Sequence, residues 1–196
     1  LATASFRESF FNTDTYKEHN VGLASVRAGN VIGGGDWAKD RLIPDIFRSI
    51  NNDKETLKIR NPNSTRPWQH VLEPLYGYLK LAIFLDKNEK LNGESFNFGP
   101  SSKKTYTVMQ LLKTLQKNWN KNNSYSFKTR SNFHETKILK LNSQKAFKRL
   151  RWKTILNLEQ IGIFITNWYK LYFEKNSNMF NFTIKQIRDY EKKTFN

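Results

Sequence analysis

Apolar positions along the chain switch repeatedly between a period of two and a period near 3.6, the spacings of strand and helix. Leu1 to Lys17 carries Ala4, Phe6, Phe10 and Phe11 at near-helical spacing and predicts the end of a helix, broken by Asn20 and Gly22. Leu23 to Arg27 predicts a short strand that empties into Ala28-Gly29-Asn30-Val31-Ile32-Gly33-Gly34-Gly35-Asp36-Trp37. Pro44 suits the first turn of a helix over Asp45 to Ile50. Leu57 to Ile59 predicts a strand ended by the turn Asn61-Pro62-Asn63, and Pro67 to His70 an extended segment. Leu72 to Leu85 predicts a helix with Leu75, Leu79, Ala82, Ile83 and Leu85 on or near one face. Ser95 to Phe98 alternates and stops at Gly99-Pro100, a strand signature. Thr107 is placed to cap a helix from Val108 to Trp119, with Leu111, Leu112 and Leu115 inward. Tyr125 to Phe127 and Ile138 to Leu141 alternate, and Asn142 or Ser143 can cap a short helix to Leu150. Leu156 to Phe173 predicts a long amphipathic helix, and Phe182 to Phe195 a last one.

Helices outweigh the short strands between them. The pattern predicts an α/β protein: the tail of a doubly wound sheet plus a small α/β substrate-binding lobe. In open α/β sheets, ligands sit at the C-terminal strand ends. The glycine-rich stretch after Arg27 has the form of such an end. It brings an amide (Asn30), cations (Arg27 and Arg41), a carboxylate (Asp36) and an indole (Trp37) close together in sequence. Glycines there would let backbone approach a ligand closely.

Composition narrows the classes. With 38% hydrophobic and 14% aromatic residues, the chain has the makings of a globular core, unlike a disordered protein. No apolar run approaches the roughly 20 residues that span a bilayer, so no membrane partner is expected. The chain has no cysteine and only three histidines, which excludes disulfides and argues against a thiolate or histidine metal site. The net charge of +16 raises the rival reading of a basic module for nucleic acid or another polyanion. The lysines are spread along the chain instead of forming a block, so no nucleic-acid partner is expected.

Arg27-Ala28-Gly29-Asn30-Val31-Ile32-Gly33-Gly34-Gly35-Asp36-Trp37 through Asp45, followed by Ile59-Arg60-Asn61-Pro62 and Arg66-Pro67-Trp68-Gln69-His70-Val71 through Ala82, resembles the extended short-chain dehydrogenase/reductase family of NAD-dependent nucleotide-sugar epimerases and dehydratases. Within it, the pattern is nearest the 4,6-dehydratases acting on CDP-glucose, which yield the 4-keto-6-deoxy sugar. Enzymes using dTDP-, UDP- or GDP-sugars are the rival within the class. The resemblance implies a cytoplasmic lyase of deoxysugar and lipopolysaccharide biosynthesis. It also implies the C-terminal portion of a Rossmann-like fold: residues 1–60 would end the Rossmann-like part, and residues 61–196 would form mainly the nucleotide-sugar lobe with intermixed sheet elements. The family's Gly-x-x-Gly-x-x-Gly fingerprint does not occur in the chain. Tyr76 and Lys80 have the family's Tyr-x-x-x-Lys spacing, but they fall in the helix after the Arg66-to-Val71 motif, where the family has no catalytic pair. The chain opens on Leu within a helical pattern. It therefore reads as the later part of a longer enzyme, inactive alone, with no catalytic residue of its own, NAD held mainly by upstream residues, and a possible homodimer in the full-length enzyme.

Candidate residues follow from the ligand's chemistry. A diphosphate calls for arginine, whose planar fork matches two phosphate oxygens. Arg66 is the first choice, and the resemblance implies a phosphate-binding arginine there. Asn30 can both donate and accept, and the resemblance places it on the diphosphate. The resemblance puts Arg41 beside base and phosphates, His134 and Glu135 near ribose and phosphates, and Ala28, Gly29 and Val31 at the edge of the nicotinamide site. Arg27 is expected to be structural, paired with Asp36 or Glu73. His70 reads as structural, and Glu73 as a first-turn helix carboxylate. Trp37 and Trp68 fit either a ring-stacking role or plain core.

Overall fold

The computed structural model describes residues 2–52, 56–101, 105–119, 125–127, 141–175 and 178–195. Its helices are α1 (Ala2–Phe10), α2 (Tyr16–His19), α3 (Leu42–Asn51), α4 (Leu72–Lys87), α5 (Val108–Trp119), α6 (Gln144–Leu150), α7 (Leu158–Phe173) and α8 (Met179–Phe195). Its strands are β1 (Ser25–Ala28), β2 (Val31–Ile32), β3 (Leu57–Ile59), β4 (Thr65–Arg66), β5 (Gln69–His70), β6 (Ser95–Phe98), β7 (Tyr106–Thr107) and β8 (Tyr125–Phe127). They pair as β1–β6, β2–β5 and β3–β8, all parallel, and β4–β7, antiparallel.

Backbone bonds extend the first two pairs, and a side-chain bond joins them. Gly29 N–H donates to the Phe98 carbonyl, Gln69 N–H to that of Asn30, and Val71 N–H to that of Ile32. The Gln69 side chain adds a bond to the Phe98 carbonyl at 2.8 Å. Asn30 therefore sits where the chain steps from β1 to β2, at the ends of neighbouring parallel strands. Parallel pairs joined through helices are the α/β arrangement expected of the sequence.

Helix signals explain most of the element ends. In α5, Thr107 Oγ1 accepts from Gln110 N–H while the Gln110 side chain accepts from Thr107 N–H, a reciprocal capping box. Asn157 and Gln160 repeat the device for α7. Asn178 Oδ1 accepts from Asn181 N–H, so α8 starts at Met179, a turn earlier than its apolar pattern predicts. Asn142 Oδ1 accepts from Gln144 N–H at the start of α6, whereas Ser143 Oγ donates to the Gly99 carbonyl.

Two apolar cores result. The larger joins Ile43, Ile46, Phe47 and Ile50 of α3 to β3, to Leu111, Leu112 and Leu115 of α5, and to Ile161, Ile165 and Tyr169 of α7. α5 and α7 meet closely at Gly162, where a Cβ would lie 2.6 Å from Thr114. The smaller core joins β6, Leu81 of α4, Ala146 and Leu150 of α6, and Trp152. Tyr76 packs against both.

α4 turns a different face inward from the one its leucines suggest. Glu73, Pro74, Gly77 and Leu81 are buried, and at Gly77 a Cβ would meet Phe98 at 2.4 Å. Leu75, Leu79 and Ile83 lie in solvent, with Leu79 68% exposed.

Candidate functional site

A cleft of about 1170 Å³ opens beside the ends of β1 and β2. Its walls come from the β1–β2 junction, the loop into α3, β3 with the turn after it, and β4. Asn30, Arg41 and Arg66 line it together, with Gly29 and Val31 at one side. Ala28 lies in β1, paired with Phe98, and is not among the lining residues. His134 and Glu135 lie outside the described residues.

Each of these side chains is positioned by its element. Arg66 belongs to the β4–β7 pair, opposite Tyr106, and is buried at 9% exposure. Its Nη1 donates to the Thr65 carbonyl at 3.0 Å. Burial on a strand orients the guanidinium far better than a surface loop would. Asn30 has its carbonyl fixed by Gln69 N–H at 3.0 Å. Trp68 is buried and lines the same cleft, with Nε1 unpartnered among the described residues. Trp37, by contrast, packs on α7, with ring centroids 4.7 Å from Tyr172 and 5.2 Å from Tyr169. It is not among the residues lining the cleft.

The glycine run serves packing. A Cβ on Gly34 would lie 2.1 Å from the Trp168 ring, and one on Gly33 2.9 Å from Val71. Gly35 has φ +81°, the left-handed region. The close backbone approach expected of these glycines is thus to the aromatic face of α7. Tyr169 OH donates to the Asp36 carbonyl at 2.6 Å, and Arg48 donates to the carbonyls of Trp37 and Ala38 at 3.0 and 3.1 Å. These bonds fasten the loop at the cleft's rim. Burial pushes the Tyr169 phenol above its ordinary pKa, so it remains a donor.

Two expected pairings are corrected. Arg27 is exposed on β1. Asp36 instead pairs with Arg41, at 3.7 Å, because the loop bends back toward the start of α3. Glu73 is fully buried. Its Oε1 accepts from Ile155 and Leu156 N–H at 2.9 and 2.7 Å, and its Oε2 from Tyr190 OH at 2.9 Å. That carboxylate ties α4, the segment before α7 and α8 together.

His70 is also buried. Its Nδ1 accepts from Leu72 N–H at 3.3 Å, and burial lowers its pKa to about 4, so it is neutral at pH 7. Tyr76 and Lys80 are half-buried on α4, with Lys80 Nζ 5.5 Å from the Tyr76 ring centroid and bonded to the Arg151 carbonyl. Sequence reasoning missed Lys58, Arg60 and Asp40, which also line the cleft. The turn after β3 was the available signal, since it returns that strand's end to the same wall.

Gly29 and Val31 border the cleft differently. A Cβ on Gly29 would meet Pro67 at 3.1 Å, and Val31 offers a 40% exposed apolar surface. Gly33 and Gly34 instead have their Cβ sides closed by Val71 and Trp168.

No family model matches the chain. It is 44% identical over 190 residues to the CDP-glucose 4,6-dehydratase of Salmonella typhimurium LT2, a match covering 97% of this chain and 52% of that enzyme. The chain thus spans about half the length of that relative. Among solved structures, it resembles UDP-glucose-4-epimerase from Stenotrophomonas maltophila with bound NAD and formylated UDP-arabinopyranose, at a TM-score of 0.71 and 13% identity, over 86% of this chain and 53% of that one. It also resembles dTDP-glucose 4,6-dehydratase from Bacillus anthracis str. Ames in complex with NAD, at a TM-score of 0.61 and 18% identity, over 87% and 50%. Over nearly its whole length, the chain is similar to about half of a CDP-glucose 4,6-dehydratase, and it shares the Rossmann-like α/β fold of these epimerase and dehydratase structures.

Proposed function

We propose that the chain is the C-terminal, nucleotide-sugar-binding part of an NAD-dependent CDP-glucose 4,6-dehydratase. The observation that carries this reading is one cleft that unites Asn30, Arg41 and Arg66, in a chain 44% identical to that enzyme. Arg66 binds the diphosphate through its paired N–H groups. Asn30 donates to the diphosphate from the strand junction, and Arg41 closes the other side. Trp68 presents an indole to the nucleoside or the hexose. Residues 1–60 end the Rossmann-like part, and residues 61–196 form mainly the sugar-nucleotide lobe.

NAD, when bound, supplies hydride acceptance at C4 of the sugar and hydride return at C6. Ala28, Gly29 and Val31 would lie at the edge of its nicotinamide site. The catalytic groups and the dinucleotide's phosphate site belong to the half of the relative that this chain does not cover, and the full-length enzyme works in the cytoplasm. The resemblance assigns ribose contacts to His134 and Glu135, which lie outside the described residues.

A turnover assay of this chain with CDP-glucose and NAD tests the division of labour. The expected result is no 4-keto sugar, together with saturable binding of CDP-glucose in preference to UDP-, dTDP- or GDP-glucose. Turnover, or equal affinity for all of them, would count against it. Binding that ignores the sugar nucleotide and collapses steeply with salt would favour a polyanion-binding module instead.

A further inference from the structure

Two ion pairs stand at the mouth of the cleft. Arg41 Nη1 lies 3.7 Å from Asp36 Oδ2, and Arg60 Nη2 lies 3.5 Å from Asp40 Oδ1. All four residues line the cleft. Both pairs are long and wet: the arginine side chains are 68% and 58% exposed. Exposed pairs of this kind are weak and exchange readily.

The two partners of each pair differ in freedom. Asp36 Oδ1 accepts from Ala38 N–H at 3.0 Å, on a loop already fastened to α7 through Tyr169. Asp40 has φ +61°, a left-handed conformation that a short polar side chain tolerates. The Asp36 carboxylate is therefore set by backbone and Asp40 sits on a short side chain, whereas the arginines sit on long side chains that can swing. A phosphate offers a guanidinium a better partner than a carboxylate at 3.5 Å, because two parallel N–H···O bonds can form.

We propose that Asp36 and Asp40 are built-in competitors for the ligand's phosphates. In the open cleft they hold Arg41 and Arg60, and the diphosphate of a sugar nucleotide displaces them. The consequence is a shared penalty that weakens every anion by the same factor. Every anion must break the same two pairs. Only a ligand that also reaches Asn30, Arg66 and Trp68 recovers the loss. This lets a chain of net charge +16 refuse simple anions at its own binding site. The inference rests on the diphosphate-binding reading above and adds the competing carboxylates to it.

The test is calorimetric binding of inorganic pyrophosphate and of CDP to wild type and to the double variant Asp36→Asn/Asp40→Asn. Both changes keep side-chain shape, and the amide oxygen introduced at position 36 can still accept from Ala38 N–H. A control pair, Asp14→Asn/Asp86→Asn, raises net charge equally on exposed residues away from the cleft. The expected result is pyrophosphate binding tightened by about two- to fivefold in the cleft variant, as the loss of two weak, exposed competitors implies. CDP should gain by a similar factor, and the control pair should change neither. Pyrophosphate affinity that stays the same or falls overturns the proposal, as does an equal gain in the control pair or no pyrophosphate binding to either protein. If CDP fails to bind wild type while pyrophosphate responds as expected, the nucleotide-sugar reading fails and the competing carboxylates stand.

Discussion

Glu73 and Asp40 are both carboxylates near one end of a helix, and they have opposite surroundings. Glu73 is fully buried and satisfies donors from Ile155, Leu156 and Tyr190. Asp40 stands 82% exposed in a long ion pair. A buried carboxylate with a complete set of partners is expensive to disturb, because each lost partner leaves a desolvated donor. An exposed pair is nearly free to break. The molecule thus keeps its fixed electrostatics behind the cleft, at the junction of α4, α7 and α8, and its exchangeable electrostatics at the cleft's mouth.

Removing the buried carboxylate should have the largest effect. Glu73→Ala leaves Ile155 N–H, Leu156 N–H and Tyr190 OH without their acceptor, and the expected loss is about 3–5 kcal/mol in urea unfolding. Glu73→Gln retains one acceptor oxygen and should lose less. Equal stability of Glu73→Ala and wild type would end the comparison.

Acid should weaken the buried region next. His70 has its folded pKa lowered to about 4 from 6.5 by burial. The unfolded chain therefore takes up this proton first as pH falls. The neutral ring's contribution is whole above about pH 6.5 and is lost progressively down to about pH 4, by at most about 3 kcal/mol at roughly 1.4 kcal/mol per pKa unit. His70→Asn keeps an acceptor for Leu72 N–H and cannot ionise. Comparing the two proteins at pH 7 and pH 5 should show a smaller acid loss in the variant. Parallel losses would remove His70 from the account.

Tyr190→Phe is a gentler probe of the same junction. The phenol is pushed above its ordinary pKa by burial and by the Glu73 carboxylate beside it, so it donates throughout the neutral range. Its loss should cost about 1–3 kcal/mol and loosen α8, read as faster amide exchange in Met179–Phe195. The smallest effect belongs to the mouth: Asp40→Asn should move stability by less than about 0.5 kcal/mol. A loss as large as that of Tyr190→Phe would mean that the two kinds of carboxylate do not differ.

Much of the helical framework was legible because its signals are local. Ile43, Ile46, Phe47 and Ile50 repeat at helical spacing, and Thr107 with Gln110 announces α5 within four residues. The two-residue strands β2, β4 and β7 were not resolved from their loops, because their pairing partners lie far away in sequence. The inward face of α4 was misjudged for a related reason. Leu75, Leu79 and Ile83 make the stronger apolar stripe, yet the fold buries Glu73 and Gly77, which only the approach of Trp152 and Phe98 explains. At the cleft, residue types that bind phosphate were visible in the sequence. The competing carboxylates were not, since an aspartate's partner depends on how its loop bends. The glycine run was misread for the same reason: a glycine announces that something comes close, and here that neighbour is Trp168.

The central claim is that Arg66, held on β4 with Asn30 across the cleft, grips a diphosphate. Its most direct test is a calorimetric titration of CDP-glucose into wild type, Arg66→Lys and Arg66→Ala, with unfolding curves confirming that each variant is folded. Loss of the paired charge-assisted bonds should weaken Arg66→Ala by about 10- to 100-fold, given the roughly 1.5–3 kcal/mol such bonds carry. Arg66→Lys should recover only part of that, because it restores charge without the planar fork. Unchanged affinity in a folded Arg66→Ala protein would contradict the account.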